Sequence, residues 1–91
     1  MKTDLSLQPN IGKDTEAKLI QVGIRNYAEL QTVGTEQAFL RLQTIDPGAC
    51  IHLLYGLEGA IEGIPSTNLS AETKQQLREF HRMAKIKISN T

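Results

Sequence analysis

One cysteine, Cys50, stands in the 91-residue chain, so no internal disulfide can staple it. Net charge is missing too: ten basic and ten acidic side chains cancel to zero. Proteins that coat nucleic acid or anionic membrane without specificity need a basic excess, and this chain has none. No apolar h-region follows Lys2, so there is no signal-peptide pattern and a cytoplasmic protein is expected. No apolar run approaches the roughly 18 residues of a membrane span, and no membrane partner is expected. Alternating β-branched stretches are scarce, Ile86-Lys87-Ile88 apart. His52 and His81 lie far apart, and with a single cysteine they give no zinc spacing. No Gly-x-Ser-x-Gly occurs either. No enzyme activity, metal or cofactor is therefore expected. Cys50, in an apolar neighbourhood, reads as a core residue rather than a nucleophile.

What the chain does have is helical spacing. The expectation is an all-α, compact bundle of about five helices forming one domain, 1–91, with its core at about 5–86 and a tail at 87–91. A first helix reads from Lys13 to Val22, with Gly23 in the left-handed position past its end. A second reads from Tyr27 to Val33, capped by Asn26 and stopped by Gly34. Thr35 is expected to cap a third, Glu36–Ile45, whose Ala38, Phe39, Leu42 and Ile45 share one face. A fourth reads from Ala49 to Gly63. Ser70 is expected to cap the last, from Ala71 to Lys85 or beyond, with fraying from Ser89.

Three stretches carry the functional readings. Pro9-Asn10-Ile11-Gly12-Lys13, followed by Leu19, Ile20, Val22, Gly23 and Ile24, resembles a helix-hairpin-helix motif. A glycine turn beside a helix N-terminus exposes N–H groups to which a phosphate can dock, with Lys13 adding a full charge. Asn10, Gly12 and Lys13 are thus candidate phosphate or DNA contacts. Asn10 narrows that approach, and Glu16 with Asp14 repels an anion. The same residues also read as a packing device with Ile11 in the core.

The second stretch is Leu53-Leu54-Tyr55-Gly56-Leu57-Glu58-Gly59-Ala60-Ile61-Glu62-Gly63. Each glycine inside a helix costs about 1 kcal/mol relative to alanine, so the stripe needs an offsetting reason. Gly56, Gly59, Ala60 and Gly63 fall at three- and four-residue steps and let another helix approach closely. That approach is either packing within the chain or an interface with a partner or a second copy. The third stretch is the last helix. Residues 72–91 hold five basic and two acidic side chains, a net of +3, against −3 for residues 1–71. Lys74, Arg78, His81, Arg82 and Lys85 fall on one side of it. They form either a solvated face or a surface for phosphate or an acidic partner.

Taken together, these stretches resemble the C-terminal domain of the TfoX/Sxy proteins. The matching residues are Leu7 to Gly12, Val22-Gly23-Ile24, Leu30, Val33-Gly34, Ala38 and Leu42, then Leu53 to Ala60, then Leu69, Lys74 and Leu77. The run Leu54-Tyr55-Gly56-Leu57-Glu58-Gly59-Ala60 is the most specific. The resemblance implies an all-α domain related to helix-hairpin-helix folds, without enzymatic activity or cofactor. It implies kinship with bacterial competence regulators that act with a cyclic-AMP receptor protein at promoters. Those regulators carry another domain ahead of this one, so a chain starting at Met1 reads as a stand-alone copy. The expected function is a non-enzymatic interaction module that binds a protein partner or forms a homodimer. The alternative is weak DNA binding through the hairpin turn and the basic last helix, in transcription or DNA uptake.

Overall fold

The computed structural model describes residues 3–89, with side chains described through Ala84. Five α-helices follow one another: α1 (Lys13–Gln21), α2 (Tyr27–Val33), α3 (Thr35–Gln43), α4 (Ile51–Glu62) and α5 (Ala71–Ser89). A 3-10 helix at Asp4–Leu7 precedes α1, and another at Ser66–Asn68 precedes α5. No strand occurs among the described residues, and none of their helices is long and apolar enough to cross a membrane. The central element is α4, which packs against α2, α3 and α5. Its Leu54, Leu57 and Ala60 meet Leu30, Ala38, Phe39 and Leu42 in one core with Leu5, Ile11, Leu19, Ile24, Leu69 and Leu77.

Turn chemistry sets most of the boundaries. Helix α1 ends in a Schellman motif: Gly23 N–H donates to the Ile20 carbonyl, and Ile24 N–H donates to that of Leu19 at 2.9 Å. Gly23 has φ +87°, and Ile24 is fully buried just beyond it. The same motif closes α4, with Gly63 at φ +78° and Ile64 N–H on the Gly59 carbonyl at 2.9 Å. Asn26 caps α2 as expected, its side chain accepting from Glu29 N–H at 2.9 Å. Ser70 does the same for α5, accepting from Thr73 N–H at 3.1 Å. Helix α5 continues through Ser89, and residues 90–91 lie outside the described range.

Several expectations are corrected. Residues Asp4–Leu7 form only a 3-10 turn, so Gln8–Gly12 does not link two α-helices in a hairpin. The reason is local: Pro9 holds the preceding residue extended, and Gln8 sits at φ −85°, ψ 151°. Leu7 is 80% exposed, and the buried residue of this turn is Leu5. Thr35 is not a cap. It lies inside α3, behind Gly34, and its hydroxyl donates to Glu58 Oε1 at 2.7 Å. Ile45 leaves the α3 face and is 44% exposed, because the helix stops at Gln43. Thr44 and Ile45 N–H there bond three residues back, to Arg41 and Leu42. Helix α4 starts at Ile51 rather than Ala49, whose N–H closes a turn on Asp46. Cys50 is the residue before α4 and is exposed, not core. His81 leaves the basic side of α5: its ring meets the Phe39 ring edge-on at 5.8 Å, beside the Phe39–Phe80 pair at 6.3 Å.

Candidate interaction site

The hairpin turn and the glycine helix prove to be two halves of one joint. Asn10 adopts φ +70°, a left-handed conformation asparagine tolerates, and this aims its amide at the C-terminal half of α4. Its Nδ2 donates to the Ile64 carbonyl at 3.0 Å and to that of Gly56 at 3.4 Å. Its Oδ1 accepts from Ser66 N–H at 3.1 Å. Gly59 makes room for this. A Cβ there would lie 2.5 Å from Asn10 Nδ2 and 2.7 Å from the Ile64 carbonyl oxygen. Gly56 is less constrained, since its Cβ would sit 3.5 Å from Asn10 Cβ, an ordinary contact. Ala60 is fully buried in the core. Gly63 has open space around it and serves as the left-handed stop of α4.

The segment ahead of the turn is tied down as firmly. The Glu16 carboxylate is buried and accepts from Thr3 N–H at 3.0 Å, Thr3 Oγ1 at 2.8 Å and Ser6 N–H at 3.3 Å. The two Thr3 bonds lead in holding its pKa below the ordinary 4.5. Asp4 Oδ1 accepts from Tyr27 N–H at 2.9 Å, which joins this segment to α2. Lys18 bridges Asp14 and Asp46, each at 3.2 Å, and the Asp46 bond leads in raising its pKa. Glu16 was read from sequence as a repeller of phosphate; the structure makes it the anchor of residues 3–6. No pattern along the chain links a helical glutamate to a threonine thirteen positions earlier.

Gly12 and Lys13 are exposed at the N-terminus of α1. Gly12 sits at φ −91°, contributes no capping side chain and has open space beside it. Arg78 and Arg82 are exposed on α5 and Lys74 is half-buried. None of the three forms an ion pair among the described residues; Arg78 Nη1 donates to the Tyr55 hydroxyl at 3.3 Å. Lys85 belongs to α5, but its side chain lies outside the described residues. Helix α1 packs on α3 and the first 3-10 helix, whereas α5 packs on α4. Helix α4 thus carries both features, the turn through Asn10 on Gly56 and the basic stripe through its packing with α5.

Two features escaped the sequence reading. One is an open groove of about 390 Å³ between the α2–α3 junction, α4 and α5, lined by Thr35, Glu36, Gln37, Glu58, Thr73 and Gln76 among others. Glu58 is half-buried there, held by Thr35. Its neighbour Glu62 has a raised pKa, caused first by sharing a hydrogen bond with Glu58 and then by burial and like charge. The other is a short aromatic array in which the exposed His52 ring meets Tyr55 edge-on at 6.3 Å, next to Arg78. The four-residue step from Glu58 to Glu62 signals the first pair. Nothing in the sequence joins Tyr55 to Arg78.

Comparison with known proteins gives a consistent picture. The family model of the TfoX C-terminal domain matches residues 1–81. Protein Sxy of Escherichia coli K12 is 35% identical over 72 residues, which cover 79% of this chain and 34% of that protein. The DNA transformation protein TfoX of Haemophilus influenzae is 35% identical over 69 residues, covering 76% of this chain and 32% of that protein. The chain thus spans about a third of the length of these two relatives. A crystal structure of an uncharacterized protein from Listeria monocytogenes superposes with a TM-score of 0.86 at 44% identity, covering 87% of this chain and 90% of that one. A second Listeria monocytogenes structure, of a protein of unknown function, gives 0.85 at 43% identity, covering 87% and 98%.

Proposed function

The chain belongs to the TfoX C-terminal domain family, and from that premise we propose that it is a non-catalytic interaction module of the cytoplasm that binds a protein partner or a second copy in the control of DNA uptake. The kinship with Sxy and TfoX supplies the process. The observation that carries the binding mode is the groove beside Glu58. Its carboxylate is positioned by the Thr35 hydroxyl, and Glu36, Gln37, Thr73 and Gln76 surround it with further hydrogen-bonding groups. Such a recess accepts a lysine or arginine side chain from a protein surface. The glycine stripe is a weaker candidate for the contact, because Asn10 and the Ile64–Ser66 turn already occupy the space beside Gly59.

The test is light scattering together with photo-crosslinking from position 37 in the native bacterium, with Glu58→Lys alongside. The reading expects a discrete adduct or a dimer that disappears in the variant while the melting temperature holds. A strict monomer without adducts, or adducts indifferent to Glu58→Lys, contradicts it. A second reading, DNA contact at the turn, is favoured by one observation: Gly12 and Lys13 stand open at a helix N-terminus that has no side-chain cap. A Lys13→Ala variant that loses DNA binding would support it.

A further inference from the structure

The cations of this molecule differ in what they face. Lys18 is bridged by Asp14 and Asp46, and Arg25 is paired with Glu29 at 3.4 Å. Arg78 and Arg82 face solvent without a carboxylate partner among the described residues. They lie four residues apart on α5, which places them on one flank about 6 Å apart along the helix axis. Lys74 lies one turn earlier on the same flank. Across from them α4 contributes Tyr55, whose hydroxyl accepts from Arg78 at 3.3 Å. The exposed His52 ring meets Tyr55 at an interplanar angle of 77°. Two guanidinium groups beside an exposed imidazole and a half-buried tyrosine suit a strand whose phosphates and base faces are both accessible.

We propose that this α4–α5 face, formed by His52, Tyr55, Arg78 and Arg82, binds single-stranded nucleic acid. The arginines take phosphates, and the His52 ring meets a base. A duplex hides the base faces that such rings recognise, so the single strand is the fitting occupant. The face lies across α5 from the Glu58 groove, since Gln76 and Arg78 are about 200° apart around the helix. It stands whether or not the groove takes a protein. With a neutral chain and two or three cations, binding is modest and confined to low salt. Its logarithm falls by about 0.7 per phosphate contacted for each tenfold rise in salt.

The experiment is fluorescence anisotropy of a labelled oligothymidylate, and of a duplex of equal length, with the full chain at low salt. Arg78→Ala/Arg82→Ala is expected to weaken the single strand about tenfold or more and to flatten the salt slope by roughly 1.4. His52→Ala weakens the single strand several-fold and leaves the duplex unchanged. Arg25→Ala, at an exposed cation paired with Glu29, stays within about twofold of the parent chain. All these positions are exposed, so circular dichroism melts should coincide within about 2 °C, placing the losses at the surface rather than in folding. Three results would overturn the proposal: no binding by the parent chain at low salt, a loss in Arg25→Ala equal to that of the α5 arginine pair, or competition by polyglutamate as effective as by unlabelled oligothymidylate. The last would make the face a docking site for an acidic protein.

Discussion

Residues 3–24 and the outer flank of α5 are both rich in polar side chains, yet they use them in opposite ways. In the first region Thr3, Asp4, Asn10, Glu16 and Lys18 all make contacts within the chain. In the second, Arg78 and Arg82 face solvent, with one bond from Arg78 to the Tyr55 hydroxyl and no ion pair among the described residues. The difference lies in what each region is packed on. Ahead of α1, residues 3–12 bury only Leu5 and Ile11 among their apolar side chains, so specific hydrogen bonds hold that segment in place. Helix α5 is held by Leu77, Phe80 and Ala84, and its outer flank contributes nothing to that packing. A motif associated with nucleic acid can therefore be a structural joint, while an ordinary-looking helix carries the free charge.

The comparison breaks most visibly at Leu5. Truncation to alanine in the short N-terminal turn should cost about 2–5 kcal/mol by denaturant unfolding, as for a core leucine. Met83→Ala, at an apolar residue of similar size on the outer flank, should stay within about 0.5 kcal/mol. Equal effects at the two positions would erase the distinction.

The next contrast is within α4. Gly59→Ala should destabilise by about 1–3 kcal/mol, because its methyl group meets the Asn10 amide and the Ile64 carbonyl. Gly56→Ala, one turn earlier, has space and should stabilise by up to about 1 kcal/mol through helix propensity.

Acid titration offers a subtler division. The Glu16 pKa lies below its ordinary 4.5, so its stabilising bonds are fully present above that value and are lost as pH falls through the folded pKa. Glu16→Gln should lower the melting temperature by several degrees at neutral pH, with the gap to the parent chain closing below pH 4.5. Glu62 has the opposite sign. Its protonated form shares a hydrogen bond with Glu58, and that bond gives way to like-charge repulsion as pH rises from the ordinary 4.5 through the folded value. Glu62→Gln should therefore stabilise at neutral pH, by only about 0.2–0.5 kcal/mol because the Glu62 side of the pair is exposed, and do nothing below pH 4.5.

Much of this fold was legible beforehand because its signals are local. Gly23 and Asn26 bound helices through bonds that span three to five residues, and the sequence displays those directly. The face of Ala38, Phe39 and Leu42 follows from periodicity. What was not legible is long-range. Thr35 looked like a cap because threonine before a helix usually is one, yet its partner is Glu58, twenty-three residues on. The glycine stripe announced a close approach without saying of what; the answer is Asn10, itself read as an impediment to phosphate. Tyr55 and Arg78 become neighbours only when α4 and α5 are packed together.

The joint between the turn and α4 is the claim on which the contrast rests, and a double-mutant cycle at Asn10 and Gly59 tests it most directly. Asn10→Ala removes the amide that Gly59 admits, so Gly59→Ala should be less harmful in that background by about 1 kcal/mol or more, as for residues in direct contact. Additive effects, within about 0.3 kcal/mol, would show that the turn and the glycine helix are independent.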